Sequence, residues 1–433
     1  MENKITELSK KHLGKIAEDL QKKINAGLKD NGKEIACLPT YISPGKDFAG
    51  KVLALDWGGT NFRTSIILFE KGKKPVVLEN LKKTLSAKEI KGFTGAKLRE
   101  AMAELIAQLK NLDETVTQIG YCFSYPAESI LDSEFKPENG LILEGDLVLL
   151  RWTKGINIPD MIGKPVGKPL MDCLNNYEGI KEKTQFKDIK VINDTIACLF
   201  AGLEQPGFDS YIGLIVGTGT NMAGVIHKSK IAKLSKKYNG GEWIPVNLES
   251  GNLKPFTGKD GEIYLSEIDK KVDLSLPAGD QQAQLFEKAM SGKYIGEIFS
   301  YTFDGAAIEP NFDGLSLTNM LSYPTIYKDE CVDAARQIYI RSAQLVAASL
   351  AGLTLVLVSY GDKDNYDKSI NNICLAADGS LYWSEDKNGM KYNDMVKKYL
   401  AEYLEDFGLS HINFEVSQLE DANLIGSAIA ALS

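Results

Sequence analysis

Two glycine-rich stretches between apolar runs are the first candidates for chemistry in this sequence. They read LALDWGGTNFR over residues 53–63 and IVGTGTNMAGVI over residues 215–226, and both contain Gly-Thr-Asn, at 59–61 and at 219–221. Apolar residues on both sides of a glycine turn predict a strand–turn–strand unit. The same tripeptide at the same point of two such units favours a pair of related half-domains.

Turns of this kind suit the binding of a polyphosphate. Glycine lets other atoms approach the backbone closely, and successive N–H groups in such a turn form a concavity that binds anions. The residues that we expect to hold the phosphates are Gly58, Gly59, Thr60 and Asn61 in the first turn and Gly217, Thr218 and Gly219 in the second. The alternative is two ordinary β-turns, where glycine is common. Neither stretch is a Walker A loop or a dinucleotide fingerprint.

Charged side chains beside the first turn could complete a phosphate site. Asp56 ends the strand before the turn, and Arg63 lies in the strand after it. We expect Asp56 to hold Mg²⁺ through water, because Mg²⁺ gives up its hydration shell reluctantly. Arg63 would supply a positive charge for the phosphates.

A third candidate for chemistry is a carboxylate in the stretch VINDTIACLFAGLE, residues 191–204. Asp194 lies between a predicted strand and a predicted helix. An aspartate at this point is more often an N-cap, which accepts from the free N–H groups of the first turn. Thr195 could equally be the cap, which would leave Asp194 available as a catalytic base.

The bulk composition limits the classes of function. The chain has 433 residues and a formal net charge of −8, which argues against a nucleic-acid partner. Its first 20 residues are polar and charged, so we expect no secretory signal, no membrane partner and a cytoplasmic location. The apolar run over 345–358 is too short to span a bilayer and predicts a buried helix. The six cysteines contain no CxxC pair, and the three histidines show no metal-binding spacing.

Strands and helices alternate along the whole chain, which predicts an α/β protein of two or three domains. Residues 3–29, 96–110 and 335–358 and the small-residue segment 421–432 have helical character. Residues 115–126 and 188–194 predict strands, and 370–383 predict a strand with a turn.

The sequence resembles the hexokinase family in a series of blocks that occur in the family's order and span most of the chain. They are LPTY at 38–41, LALDWGGTNFR at 53–63, FSYP at 123–126, WTKGI at 152–156, NDTIACLFAG at 193–202, IGLIVGTGTN at 212–221, VNLESG at 246–251, FEKAMSGKYIGE at 286–297 and ADGSLYW at 377–383. The resemblance implies two ribonuclease H-like domains of the actin-like ATPase superfamily. Each is a mixed β-sheet flanked by helices, and a cleft lies between them. It places the small domain at 47–191 plus 416–433 and the large domain at 1–46 plus 192–415.

The resemblance also implies a reaction and roles for individual residues. The expected reaction is transfer of the γ-phosphoryl group of ATP, with Mg²⁺, to the 6-hydroxyl of glucose and of related hexoses such as mannose and fructose. Asp194 is the implied general base, and Lys154 would stabilise charge near the transferred group. The implied sugar-binding residues are Ser124, Thr153, Lys154, Asn193, Asp194, Asn221, Glu249 and Glu287. Gly379 and Ser380 are implied at the nucleotide.

The chain departs from the family pattern in two places. Ala422, Asn423 and Leu424 stand where hexokinases usually carry Gly-Ser-Gly before the last helix, and Ser250 stands where they commonly have Trp. Two other functions remain open. A nucleotide switch of the actin or heat-shock ATPase kind shares the fold and the phosphate turns but lacks the sugar set, and a silent sugar sensor would bind hexose without turnover. Either a monomer or a homodimer is compatible with the sequence.

Overall fold

The chain forms two compact units, each built from several segments. The computed structural model describes residues 8–43, 45, 48–129, 145–153, 155–234, 238–254, 265–303, 312–359, 369–418 and 420–433. Unit one comprises Met1–Cys37, Phe208–Gly224 and Leu248–Gln418, and unit two comprises Leu38–Gly207, Val225–Asn247 and Leu419–Ser433. This division by contacts differs from the two domains expected from the sequence, whose bounds stay a prediction.

Unit two contains a five-stranded sheet with helices packed against it. The strands of unit two, including those outside this sheet, are β1 (Leu38–Pro39), β2 (Gly50–Trp57), β3 (Asn61–Phe69), β4 (Val76–Thr84), β5 (Gln118–Phe123), β6 (Ala127–Ser129), β7 (Leu147–Leu149), β8 (Asp188–Ile192) and β11 (Trp243–Asn247). Its helices are α2 (Gly95–Ile106), α3 (Gly167–Asn176), α4 (Asp194–Gly202) and α11 (Ala422–Ala431), with 3-10 helices at Pro159–Met161 and Lys228–Lys230.

The order of that sheet is β4-β3-β2-β5-β8. The hairpin β2–β3 and the pair β3–β4 are antiparallel, whereas β5 and β8 run parallel to β2. The central strands are apolar, and residues 52–55 of β2 are completely buried because helices or loops cover both faces. Helix α11, rich in small residues, packs against α4, β5 and β2.

Unit one holds a second mixed sheet. Its elements are α1 (Lys10–Lys29), β9 (Ser210–Val216), the first residues of β10 (Thr220–His227), α5 (Glu267–Ser275), α6 (Leu285–Met290), α7 (Gly292–Thr302), α8 (Gly314–Ser322), α9 (Asp329–Val358), β12 (Asn372–Asp378), α10 (Tyr392–Asp406) and β13 (Asn413–Gln418), with 3-10 helices at Ser250–Asn252 and Pro324–Ile326. Within unit one the strand order is β10-β9-β12-β13. An antiparallel hairpin, β9–β10, is again followed by two parallel strands. The arrangement repeats that of β3-β2-β5-β8, so the sequence echo corresponds to equivalent hairpins.

Helix α9 is the longest element of unit one. It is long and apolar enough to meet the criteria for a membrane span, but 94% of its most apolar window is buried within the protein. It packs against α1 and α10, which lie in the same unit. The buried helix expected over 345–358 is therefore the second half of α9.

Candidate active site

The first predicted phosphate turn is the tip of the β2–β3 hairpin in unit two. Gly58, Gly59 and Thr60 connect the two strands. Within the described residues, the backbone amides of Gly59 and Thr60 donate no hydrogen bond, and both residues are at least partly exposed. Two amides are thus available to an anion, and Asn61 begins the next strand beside them.

Asp56 and Arg63 are direct cross-strand neighbours on this hairpin. Arg63 donates from Nε and Nη2 to Oδ2 of Asp56, at 2.9 and 2.7 Å, and from Nη1 to Oδ1 of Asp421 at 2.7 Å. Asp56 is only 7% exposed. Burial raises the pKa of the Asp56 carboxyl, and the neighbouring guanidinium opposes that rise. Arg63 is therefore paired with two carboxylates, a role that the sequence did not predict.

The second oxygen of Asp56 faces the first turn of α11. Asn423 donates from Nδ2 to Oδ1 of Asp56 at 3.3 Å. The Oδ1 atom of Asn423 is buried and accepts no hydrogen bond within the described part of the chain. Among the described residues no group of three or more His, Cys, Asp and Glu could hold a metal ion. One carboxylate with an unused amide oxygen beside it fits a hydrated Mg²⁺.

Asp194 is the first residue of helix α4, and only Asn193 separates it from strand β8. The N-cap is Asn193, whose Oδ1 accepts from the amides of Thr195 and Ile196 at 2.9 and 3.1 Å. Neither Asp194 nor Thr195 is the N-cap, so both interpretations of the cap from the sequence are wrong. Oδ1 of Asp194 accepts from Asn193 Nδ2 and from the Thr195 amide, both at 2.8 Å. Its Oδ2 has no hydrogen-bond partner in the described structure, and the charge of Asp194 contributes to the raised pKa of Asp56.

An aromatic cluster supports two further candidate residues of unit two. The rings of Trp57, Phe123, Tyr125 and Trp152 lie 5.0 to 6.1 Å apart. Ser124 lies within this segment and donates its amide to the carbonyl of Trp57 at 3.2 Å, and Thr153 directly follows Trp152. Such ring contacts fix the backbone next to both residues. Lys154 lies outside the described residues.

The second predicted phosphate turn is the tip of the β9–β10 hairpin in unit one. The amide of Gly217 donates to the carbonyl of Gly219 at 2.9 Å, so it is not available to an anion. The amides of Thr218 and Gly219 donate to no group in the described structure. Gly379 closes the turn from the end of β12 with φ +112°, and a Cβ there would lie 2.3 Å from the carbonyl oxygen of Val216. Only glycine fits this position.

A cavity of about 670 Å³ opens beside this turn within unit one. Of the five residues expected at the nucleotide in this unit, Gly217, Thr218 and Ser380 line it. The other lining residues come from α5, α7, α8 with the two residues before it, and the turn after β12: they are Ser275, Gly292, Lys293, Glu297, Ser300, Tyr301, Phe312, Asp313, Gly314, Leu315, Thr318, Leu381 and Ser384. Sequence reasoning missed this second set, although Lys293 and Glu297 fall within the block at 286–297. The size suits a small organic ligand.

Three predicted sugar-binding residues of unit one, Glu287, Asn221 and Glu249, lie at or near the same hairpin. Oε2 of Glu287 accepts from the Thr220 amide at 2.9 Å, and Oδ1 of Asn221 accepts from the Ser250 amide at 3.2 Å. Glu249 is held in the left-handed region at φ 58°. Burial raises the pKa of Glu287 to about 7, and the negative charge of Glu249 adds to that rise. Together these side chains offer two carboxylates and an amide, which suit the recognition of neutral hydroxyls.

Comparisons with known proteins identify relatives along the whole chain. Two family models, both described as hexokinase, match residues 3–203 and residues 211–307 and 316–433. The chain is 29% identical to hexokinase-2 of Schizosaccharomyces pombe, with 94% of this chain and 90% of that protein covered. It is 24% identical to hexokinase-1 of Arabidopsis thaliana, covering 97% and 88%.

A solved structure shares the fold. The hexokinase from Schistosoma mansoni complexed with glucose superposes with a TM-score of 0.71 at 24% identity, covering 98% of this chain and 96% of that one. The predicted fold class, mixed sheets flanked by helices in an actin-like ATPase architecture, is confirmed by this likeness and by the two sheets.

Proposed function

This chain belongs to the hexokinase family, and we propose that it transfers the γ-phosphoryl group of MgATP to the 6-hydroxyl of glucose or of a related hexose such as mannose or fructose. The observation that carries the proposal is the state of the Asp194 carboxylate. One of its oxygens is fixed by neighbouring donors, and the other has no partner in the described structure.

Asp194 serves as the general base. The donors on Oδ1, from Asn193 and the Thr195 amide, hold the carboxylate in one orientation, so Oδ2 is left to accept the proton of the sugar hydroxyl. A base that is positioned in this way typically accelerates a reaction by about 10²–10⁴-fold. The rest of the acceleration comes from alignment of the reactants and neutralisation of charge. Lys154 remains a proposed source of that neutralisation.

The phosphates bind to backbone amides of the two hairpin tips. Gly59 and Thr60 in unit two and Thr218 and Gly219 in unit one have amides with no acceptor in the described structure. Bound Mg²⁺ supplies charge neutralisation at the phosphates, and Asp56 holds it through water. Arg63 pairs with the buried Asp56 and opposes the rise in its pKa that burial causes. The cavity beside Thr218 takes the nucleoside part of ATP.

Hexose recognition uses polar side chains that discriminate among hydroxyl groups. Glu287, Glu249 and Asn221 supply acceptors and a donor from unit one. Ser124, Thr153 and Asn193 are the proposed sugar residues of unit two. Since a neutral hexose has no charge to recognise, several directional hydrogen bonds must provide the specificity. We further propose that hexose binding closes the two predicted domains around the substrate, which excludes water as a competing acceptor.

The location and the assembly state belong to the same proposal. All six cysteines are free thiols, as expected for a reducing compartment, which supports a cytoplasmic enzyme. It acts on hexose and MgATP as a monomer or a homodimer.

The direct test is ADP release by the purified chain with glucose, mannose, fructose or glucosamine as acceptor. Asp194→Asn keeps the size of the side chain and should lower kcat by about 10²-fold or more while glucose binding changes little. Glucose-dependent ADP release without a sugar phosphate, or full activity of the variant, would contradict the assignment. Small-angle scattering with and without hexose tests closure, and identical curves would argue against it.

A further inference from the structure

The first turn of α11 contacts the Asp56 carboxylate through Asn423. We propose that Asn423 is a positioning residue that fixes the direction of Oδ1 of Asp56, the oxygen that faces the hydrated cation. This inference rests on the proposed function, in which Asp56 holds Mg²⁺ through water. It concerns a segment, 422–424, where the chain departs from the Gly-Ser-Gly that hexokinases usually carry.

The contacts of Arg63 reach only one of the two oxygens of Asp56. Arg63 donates twice, from Nε and from Nη2, but both N–H groups reach the same oxygen, Oδ2. The pair is therefore not a fork in which each carboxylate oxygen has its own donor. The remaining oxygen, Oδ1, receives no donor from Arg63. Asn423 donates to that oxygen at 3.3 Å, so the carboxylate is held at both oxygens and its plane is fixed more firmly.

The backbone of the turn is held by the same charge network. Asp421 is the residue before α11 and adopts a left-handed conformation, φ 53°, which is uncommon outside glycine. Its Oδ1 pairs with Nη1 of Arg63 at 2.7 Å. Arg63 thus joins Asp56 to the residue two positions before Asn423, so the hairpin and the turn are fixed together.

The amide oxygen of Asn423, Oδ1, is buried and accepts no hydrogen bond within the described structure. An amide that donates to a metal-binding carboxylate can accept from a water of the hydrated cation through its oxygen. Asn423 would then contact both the carboxylate and the hydration shell.

Binding experiments on Asn423→Ala test the proposal. Titration calorimetry would compare binding of a non-hydrolysable ATP analogue with Mn²⁺ and without metal. Loss of a group that orients a metal ligand typically weakens metal binding by about 10–100-fold. We expect a loss of that size for the metal complex, with unchanged affinity for the metal-free analogue and for glucose. The control variant Glu420→Gln changes an exposed residue of the same turn. Its affinity for the analogue, with Mn²⁺ and without metal, should equal that of the parent chain.

An unchanged affinity for the Mn²⁺ complex, or an equal loss with and without metal, would overturn the proposal. A second variant decides the case if Asn423→Ala folds poorly. Asn423→Asp places a carboxylate beside Oδ1 of Asp56, where repulsion lowers the melting temperature until a divalent cation binds. A larger rise in melting temperature with Mg²⁺ than in the parent supports the proposal, and an equal rise contradicts it. Failure of the parent chain to phosphorylate any hexose would refute the proposed function separately, because these readouts need no turnover.

Discussion

The carboxylate oxygen Oε2 of Glu287 accepts a hydrogen bond from the backbone amide of Thr220 at 2.9 Å. Thr220 directly follows the glycine turn of the β9–β10 hairpin. One side chain thus joins the proposed sugar site to the hairpin that is proposed to hold phosphate. Burial of this carboxylate raises the pKa of Glu287 to about 7, and the nearby charge of Glu249 adds to that rise. Its protonation state therefore changes within the physiological range.

We expect hexose binding to weaken as the pH falls below about 7. Hydroxyl groups that donate to Glu287 favour its ionised form, whereas burial in the unliganded chain favours the protonated form. Protonation and hexose therefore compete, and the dissociation constant for glucose should rise about tenfold between pH 8 and pH 6. Calorimetry across that range measures it.

Glu287→Gln is the matched control for this pH dependence. The variant should bind glucose more weakly than the parent at pH 8, with an affinity that hardly changes down to pH 6. A parent chain whose glucose affinity is equal at pH 6 and pH 8 would show that Glu287 does not bind the sugar as a carboxylate.

Gly219→Ala should impair hexose binding through Glu287. A Cβ at residue 219 would lie 2.6 Å from Oε2 of Glu287, closer than side-chain atoms are found. The carboxylate must move, and misplacement of a binding group by about 1 Å can cost up to about 100-fold. Steady-state kinetics should show a KM for glucose that is raised about 10- to 100-fold. Gly14→Ala, where no atom lies within 4 Å of the new Cβ, should leave this KM unchanged; a similar rise in both variants would contradict the explanation.

The glycine hairpins and their repetition could be predicted because the signal is local. Strand β2, the turn at 58–60 and strand β3 follow one another, and an apolar–glycine–apolar pattern is enough to indicate them. Helix α4 was predicted for the same reason. Its cap was not, because Asn193, Asp194 and Thr195 are all good capping residues, and backbone geometry decides among them.

Contacts between distant segments could not be predicted. The pair Arg63–Asp421 and the contact of Asn423 with Asp56 join residues more than 350 positions apart. The cavity in unit one is lined from α5, α7, α8 and the turn after β12, and the sequence indicated only the two turns. In each case the chemistry depends on which elements pack together, and periodicity within one element carries no such information.

Asp146→Ala should destabilise unit two without a direct effect on the proposed site. This carboxylate is fully buried and accepts from the amides of Leu147, Gly167 and Lys168 at 2.7 to 2.8 Å, which anchors the start of α3. Removing it leaves buried N–H groups without acceptors, and each such group costs about 1–3 kcal/mol.

Urea unfolding measures the loss of stability expected in Asp146→Ala, on the order of 3 kcal/mol. Asp172→Ala, on the exposed side of the same helix, should cost less than about 0.5 kcal/mol. Equal stability of Asp146→Ala and the parent chain would mean that water replaces the carboxylate.

Arg341 forms a buried ion pair that fixes helix α5 to helix α9. Its Nη1 and Nη2 donate to the two oxygens of Asp269 at 3.1 and 2.7 Å, and both side chains are 3% exposed. Arg341→Met removes the cation and leaves Asp269 charged and buried, which typically costs about 3–5 kcal/mol. Thermal unfolding should therefore show a markedly lower melting temperature. Arg336→Met, one and a half turns earlier in α9, removes an exposed pair with Asp333 and should change the free energy of unfolding by less than about 0.5 kcal/mol. If the two variants are equally stable, the buried pair contributes no more than a surface contact, and α5 must be held by its apolar residues alone.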